Sequence, residues 1–599
     1  VGVEHGVRQK ADISDYGLIG NGRTAALVHR DGAIDWLCWP RFDSDACFAA
    51  LLGEEQHGFW RLSPAESYQC ARKYRHDTLV LETMFTAERG RACMVDFMPI
   101  GVEEGMIVRS LTCEDGHIAI RHCFNPVFGN GRVAPQWSRE RGQMIARAGV
   151  DEVRLWCSRP EYLAPESTIH LSAGDQVVFV LGGRPAQGDP DRLLLECERY
   201  WRDWAQQCTY QGAWRDVVVR SLITLKALIH QPTGGMVAAP TTSLPEELGG
   251  SRNWDYRFCW LRDSTMTVLS LLHAGYRDEA RAWVQWLLDA IAPDKSATQP
   301  VYGLLGNPDL PEYEADWLPG FGGARPVRFG NAACRQFQLD IYGEVLDTIH
   351  QWHSLADSEI ETSWTKQRQM LARLETLWRE PDAGFWEQRS RPEYFTHSRV
   401  QAWVAFDRAL KSAARFGFEG PVEAWKRLRT EVHDEVCTKG FNGRLNAFAR
   451  SYGADTFDAS TLLLPITGFL PCTDPRVIGT LDGISRHLMR DGFVYRYDNT
   501  KEDDGIGEDE GAFLPCCFWY ADCLTLQGRM EEAEELFKKY LTAGNDLGLF
   551  AEEFDVSSRT MLGNFPQALT HLALINTALN LTGLGPAHTR SGTSSRRSS

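Results

Sequence analysis

Several signatures are missing from this 599-residue chain, and each absence removes a class of function. Its 16 cysteines form no CxxC pair and no Cys/His cluster at zinc spacing. That excludes a zinc finger or ribbon and points to reduced, mostly buried thiols rather than a disulfide framework. No run approaches the roughly 18 apolar residues of a membrane span. The opening VGVEHGVRQK has no apolar signal-peptide core, so the expectation is a cytoplasmic protein with no membrane partner. Basic charge is also short. The 63 Lys and Arg stand against 80 Asp and Glu, a net −17, whereas nucleic acid or an anionic membrane calls for a basic face. A neutral small-molecule substrate fits an acidic protein better, and nothing in the pattern calls for a cofactor or a metal. The pattern leaves room for a homo-oligomer.

What is present divides the chain in two. From Asp12 to about Gly183, short runs rich in Val, Ile, Leu, Phe and Trp read as strands, among them Ala25–His29, Ala33–Cys38, Leu79–Thr86, Ile107–Thr112, Val153–Cys157 and Gln176–Leu181. Turn signals at Arg30-Asp31-Gly32, Asp115-Gly116 and Gly129-Asn130-Gly131 separate them, the pattern of an antiparallel sandwich. Arg192–Gln207 reads as a bridging helix with Trp201 and Trp204 on its apolar stripe. Twelve helical segments follow. They are Trp214–Ile229, Asp263–His273, Asp278–Ile291, Asn331–Ile349, Thr362–Trp378, Ser398–Arg415, Pro421–Val436, Asp458–Leu464, Pro475–Leu488, Gly511–Gln527, Met530–Leu541 and Asn564–Asn580. The connections into the even-numbered helices are long and crowded with Trp, Tyr, Arg, Asp and Glu, while the others are short and plain. Special loops at one end of alternate helices are what an (α/α)6 barrel produces. The expected architecture is therefore multidomain α and β: an N-terminal antiparallel β-sandwich (1–190), a linker helix (191–212), a C-terminal (α/α)6 barrel (213–584) and a disordered Ser/Thr/Arg/Gly-rich tail (585–599).

Three of those loops carry the chemistry. RNWDYRFCWLRD (Arg252–Asp263) packs four aromatic rings, three arginines and two aspartates into twelve positions. Rings supply a face and Arg and Asp supply fixed hydrogen bonds, as a pocket for a flat polyhydroxylated ligand requires; an amphipathic helix entry capped at Asp263 is the plain alternative. Trp386-Glu387 and Glu552-Glu553-Phe554 each set a glutamate beside aromatics. Glycosidic bonds are cleaved by a carboxyl pair, one protonating the leaving oxygen and one activating water. A Glu flanked by Trp is expected to be desolvated and its pKa raised, as a proton-holding acid needs; Glu387 suits the acid and Glu552 the base. The run Glu502–Glu510 is acidic but lacks the spacing of a calcium loop, and is read as a solvated rim. WPRFDS (Trp39–Ser44) is read as a source of a domain-interface salt bridge.

The chain resembles bacterial members of the glucoamylase and trehalase family, glycoside hydrolase family 15. The resemblance runs through DYGLIGNGRTAALVHRDGAIDWLCWPRFDS (Asp15–Ser44), TTSLPEELGGSRNWDYRFCWLRD (Thr241–Asp263), RPVRFGNAACRQFQLDIYGEVLD (Arg325–Asp347), GFWEQR (Gly384–Arg389), EGAFLPCCFWYADCL (Glu510–Leu524) and LGLFAEEFD with GNFPQALTHLALI (Leu547–Ile575). It implies hydrolysis of a terminal α-linked glucose by single displacement with inversion. It also implies general acid Glu387, general base Glu552, sugar contacts at Trp260, Arg262 and Asp263, a stacking Tyr256, a pocket wall at Trp386, and further contacts at Arg496 and Arg325. Two departures stand out. The residue after the WE glutamate is Gln388, where fungal glucoamylases have a second acid, and EEFD replaces EQYD, leaving Glu553 beside Glu552 as a second candidate base. The reading leans to a glucoamylase acting on malto- or isomalto-oligosaccharides. Trehalose hydrolysis is the alternative, followed by a phosphorylase and a non-catalytic glucan-binding protein.

Overall fold

The computed structural model describes residues 2–3, 12–102, 105–182, 189–291, 298–355, 360–498, 510–583 and 585–591. Strands fill the N-terminal part and helices the remainder.

Ala25–His29 and Ala33–Cys38 pair antiparallel across Gly32. Gly32 sits at φ 85°, where a Cβ would stand 2.1 Å from the Leu62 carbonyl oxygen, so only glycine makes this turn. The strand Met106–Asn125 runs for 20 residues. Its first half pairs with Gly90–Phe97 and Gln176–Gly182, its second with Phe59–Pro64 and Glu166–Ser172, all antiparallel. Asp115-Gly116, expected as a turn, lies inside this strand instead. The register slips between Cys113 and Asp115, and such a bulge bends a strand without reversing it. Arg109 and Asp96 form a fully buried ion pair at 2.8 Å, and Arg109 also donates to the carbonyls of Trp60 and Gly32. A charge this deep persists because its fork of donors finds acceptors.

Pro190–Ala205, capped by Asp189, is the bridging helix. Ten of the twelve expected helices begin and end within a few residues of their sequence limits. Two differ. Asn331 caps only a short turn, Ala332–Arg335, and the long helix begins at Asp340. Tertiary bonds hold the intervening residues out of the helix, with the Leu339 N–H on Asp382 Oδ2 and Gln336 Nε2 on the Glu387 carbonyl. Asp458–Leu464 becomes a 3-10 turn, Ala459–Leu462, followed by the single turn Leu463–Ile466, ended by Gly468 at φ 83°. The chain beyond 585, expected to be disordered, carries a further helix at Pro586–Ser591. Proline suits a first helical position, and Asn580 Oδ1 accepts the Ala587 N–H at 3.2 Å. Residues 592–599 lie outside the described residues.

Alternate helices pack in a cycle. Leu261–His273 packs on Asp340–Leu355, that helix on Thr396–Phe416, then the 459–466 segment, Leu514–Leu526 and Ala568–Asn580, which returns to Leu261–His273. Arg215–Ala227, Arg277–Ala290, Val422–Glu435 and Met530–Leu541 pack outside them. Burial follows position. Ala568–Asn580 is buried nearly all round, whereas Met530–Leu541 buries only Ala533, Phe537 and Tyr540, one stripe at helical spacing.

The sheet region braces the loops that enter this cycle. Trp36 Nε1 donates to the Pro240 carbonyl at 2.7 Å, Arg257 Nη1 to the Ser44 carbonyl at 2.8 Å, and Trp317 Nε1 to the Asn130 carbonyl at 2.9 Å. The WPRFDS motif thus contributes a backbone carbonyl to this contact. Its charged side chains pair with each other, Arg41 Nε to Asp43 at 2.9 Å, because the two lie within reach on the same turn. Among the described residues no helix is long and apolar enough to cross a membrane, and the cysteines are unpaired and mostly buried.

Candidate active site

The loops entering the cycle meet around two adjoining chambers. The inner one is lined by Tyr256, Trp260, Arg262, Asp263, Trp386, Glu387, Arg496 and Glu552, eight of the nine residues singled out from the sequence. It is much the smaller of the two. Tyr256, Trp386, Glu387 and Arg496 belong to both chambers, while Glu552 borders only the inner one. Glu387 therefore stands at the junction. Arg325 lines neither chamber. It is exposed and reaches back to the Pro319 carbonyl at 3.4 Å, because its loop folds on itself there and turns the guanidinium to solvent.

Glu387 sits in the turn that follows Gly384. Its backbone is left-handed, φ 58°, a conformation that costs a non-glycine residue about 1–2 kcal/mol. Gln336 Nε2 holds its carbonyl at 3.1 Å. The Glu387 carboxylate accepts the Trp260 indole N–H and faces Arg262 Nη2 at 3.2 Å. Sequence reasoning expected Trp386 to desolvate Glu387. The side chain instead keeps 19% exposure beside a guanidinium, because Trp386 turns its indole N–H the other way, onto Asp458 Oδ1 and Oδ2 at 2.9 and 3.0 Å. Arg262 is braced in turn by Asp340 at 3.3 Å. Burial raises the neighbouring Asp263 to about 6.

Glu552 is 2% exposed. Its Oε1 accepts the Tyr256 hydroxyl at 2.7 Å, and its Oε2 has no hydrogen-bond partner among the described residues. Desolvation holds its pKa well above the ordinary carboxylate value. Glu553 opens the strand Glu553–Asp555, and successive strand residues face opposite sides. It accordingly turns away, accepting the Gly511 N–H at 2.8 Å and facing Arg496.

Arg496 is committed to carboxylates. Its Nη2 meets Glu246 Oε2 at 2.6 Å, Glu553 Oε1 at 3.2 Å and Glu510, and its Nε donates to Glu510 at 3.0 Å. The three carboxylates lie within 4.8 Å of one another, close enough for metal ligands, but the Arg496 nitrogen holds the central position and Arg252 lies 3.6 Å from Glu510. Glu510, expected on a solvated rim, is buried because Arg496 draws it inward; residues 502–509 lie outside the described residues. Glu246 and Asp458 were not singled out from the sequence. Glu246 lies inside the quoted TTSLPEELGG stretch, and Asp458 reads there only as a helix start.

Known proteins share much of this chain. The model of the Glycosyl hydrolases family 15 matches residues 212–579, and that of the Trehalase-like, N-terminal domain matches residues 6–157. The chain is 36% identical to a trehalase of Thermoplasma volcanium, over 95% of this chain and 93% of that protein. It is 34% identical to a trehalase of Mycobacterium tuberculosis, over 95% and 89% respectively. In structure it is similar to a bacterial glucoamylase complexed with acarbose, with a TM-score of 0.67 and 13% identity over 99% of this chain and 98% of that one. The chain belongs to glycosyl hydrolase family 15 and is a glycosidase.

Proposed function

We propose that the protein hydrolyses α,α-trehalose with inversion, Glu387 acting as general acid and Glu552 as general base. The carrying observation is that Glu387 lines both chambers whereas Glu552 lines only the inner one. A glucosyl unit in the inner chamber then has its scissile bond at Glu387, its leaving group in the outer chamber, and Glu552 on its far side. Glu387 gives its proton to the glycosidic oxygen as the C1–O bond breaks. A water on the opposite face forms the new C1–O bond and gives a proton to Glu552 Oε2, the unpaired oxygen. Trp260, Arg262, Asp263 and Tyr256 hold the glucosyl hydroxyls and face.

The sequence alone leans towards a glucoamylase. Relatives named trehalases at 34–36% identity over nearly the whole chain favour trehalose instead, while the 13% identity to the bacterial glucoamylase bears on fold alone. Initial rates on trehalose, maltose and isomaltose test this choice. The expected result is a kcat/KM about tenfold or more higher on trehalose, and a preference for maltose would return the reading to a glucoamylase. The cycle of alternate helices supports an (α/α)6 barrel over about 213–584, and the two sheets sharing Met106–Asn125 support a β-sandwich over about 1–190, joined by a linker helix at 191–212.

The pH profile follows from Glu552. A base works only when ionised, and desolvation raises the pH at which Glu552 loses its proton. Activity is therefore lost as pH falls through that raised pKa, so the acid limb of kcat/KM lies above the ordinary carboxylate range. The Tyr256 hydroxyl favours the ionised form. Tyr256→Phe should move the acid limb to still higher pH and lower kcat about tenfold. A pH–rate profile with the limb unmoved would separate Tyr256 from the base.

A further inference from the structure

Glu387 stands on a left-handed turn, and one buried carboxylate ties that turn down. Asp382, at the foot of the same loop, is 1% exposed. Its Oδ2 accepts three hydrogen bonds, from the Leu339 N–H at 3.0 Å, the Gly384 N–H at 3.3 Å and the Ser398 hydroxyl at 2.8 Å. Its backbone closes the loop by exchanging two N–H to carbonyl bonds of 3.0 Å with Glu393. The three donors come from different places. Gly384 opens the turn, and its carbonyl accepts the Glu387 N–H at 3.3 Å. Leu339 directly precedes Asp340, the first residue of Asp340–Leu355, and Asp340 braces the Arg262 guanidinium that faces Glu387. Ser398 belongs to Thr396–Phe416, a helix of the inner cycle. A non-glycine residue at positive φ persists only where its surroundings over-determine it, and here the bonds of Asp382 do so.

We infer that Asp382 is the positioning residue for proton delivery. It locks the Glu387 turn to the helix start that carries Asp340, so that the Glu387 carboxyl and the Arg262 guanidinium keep one geometry relative to the glycosidic oxygen. Buried as it is, Asp382 acts through these groups and not on substrate. The inference rests on the proposed role of Glu387 as general acid and adds the group that aims it.

The test compares trehalose, whose leaving glucose needs the Glu387 proton, with α-glucosyl fluoride, whose leaving fluoride needs far less help. Asp382→Ala is expected to lower kcat on trehalose about thirtyfold with KM little changed, and kcat on the fluoride by less than about threefold. A general loosening of the fold would lower both alike. Asp382→Asn keeps an oxygen for all three donors and is expected to restore the trehalose rate to within about threefold of the unaltered protein. Ser398→Ala removes only one of the three bonds, so it keeps the fold even where Asp382→Ala is not tolerated, and is expected to lower the trehalose-to-fluoride ratio of kcat about threefold. In a folded variant, equal losses on the two substrates, no loss on either, or an Asn variant as impaired as the Ala one overturns the inference. Glu387→Gln separates it from the reading beneath. If that variant spares the fluoride and Asp382→Ala does not, only this inference falls; if Glu387→Gln loses both substrates alike, the acid assignment falls first.

Discussion

Glu387→Gln is expected to cut kcat on trehalose by about three orders of magnitude while sparing α-glucosyl fluoride to within about tenfold. The amide keeps an oxygen for the Trp260 indole N–H and the Arg262 guanidinium, so the turn and the chamber walls survive. What disappears is the proton. Glucose leaves from trehalose as an alcohol and needs protonation in the transition state, whereas fluoride departs with far less help. KM for trehalose should change little, because Glu387 meets the glycosidic oxygen mainly as the bond breaks. Equal losses on the two substrates would mean that the residue supports structure and does not deliver a proton.

Glu552→Gln should show the complementary pattern, a loss of about three orders of magnitude on both substrates. Water must be activated whatever the leaving group is, and the Gln amide cannot take its proton. The Tyr256 hydroxyl, 2.7 Å from Oε1, can still donate to the amide oxygen, so the side chain keeps its place. Azide needs no base. Added to this variant with α-glucosyl fluoride, it should form the new bond at C1 as fluoride leaves, giving β-glucosyl azide at a restored rate. If Glu552→Gln stays active while Glu553→Gln does not, the base is one residue further on. The strand alternation that turns Glu553 to Gly511 and Arg496 argues against that.

The residues differ in how far the sequence exposes their roles. Short-range signals carried well. Ala25–His29 and Ala33–Cys38 form where apolar runs meet a glycine turn, and Met530–Leu541 has the limits its period gives. Loop composition brought eight candidates to one chamber, because aromatic and charged residues crowd only those loops that enter the inner helices. Partners distant in sequence were not legible. Asp458 fixes Trp386 across 72 residues, and Glu246 meets Arg496 across 250; each reads locally as a cap or a loop charge. Local propensity failed where tertiary bonds outweighed it. Residues 336–339 read as helix but are drawn onto the 382–388 turn, and Arg325 carries a family motif yet turns to solvent.

The central claim is a single displacement across the two chambers, and the anomeric form of fresh product tests it most directly. Proton NMR of trehalose hydrolysis, recorded before mutarotation, should show α- and β-glucose appearing in equal amounts. The attacked ring inverts to β and the leaving ring departs as α. Release of α-glucose from both rings would mean retention, and would contradict the assignment of Glu387 and Glu552 as acid and base of an inverting pair.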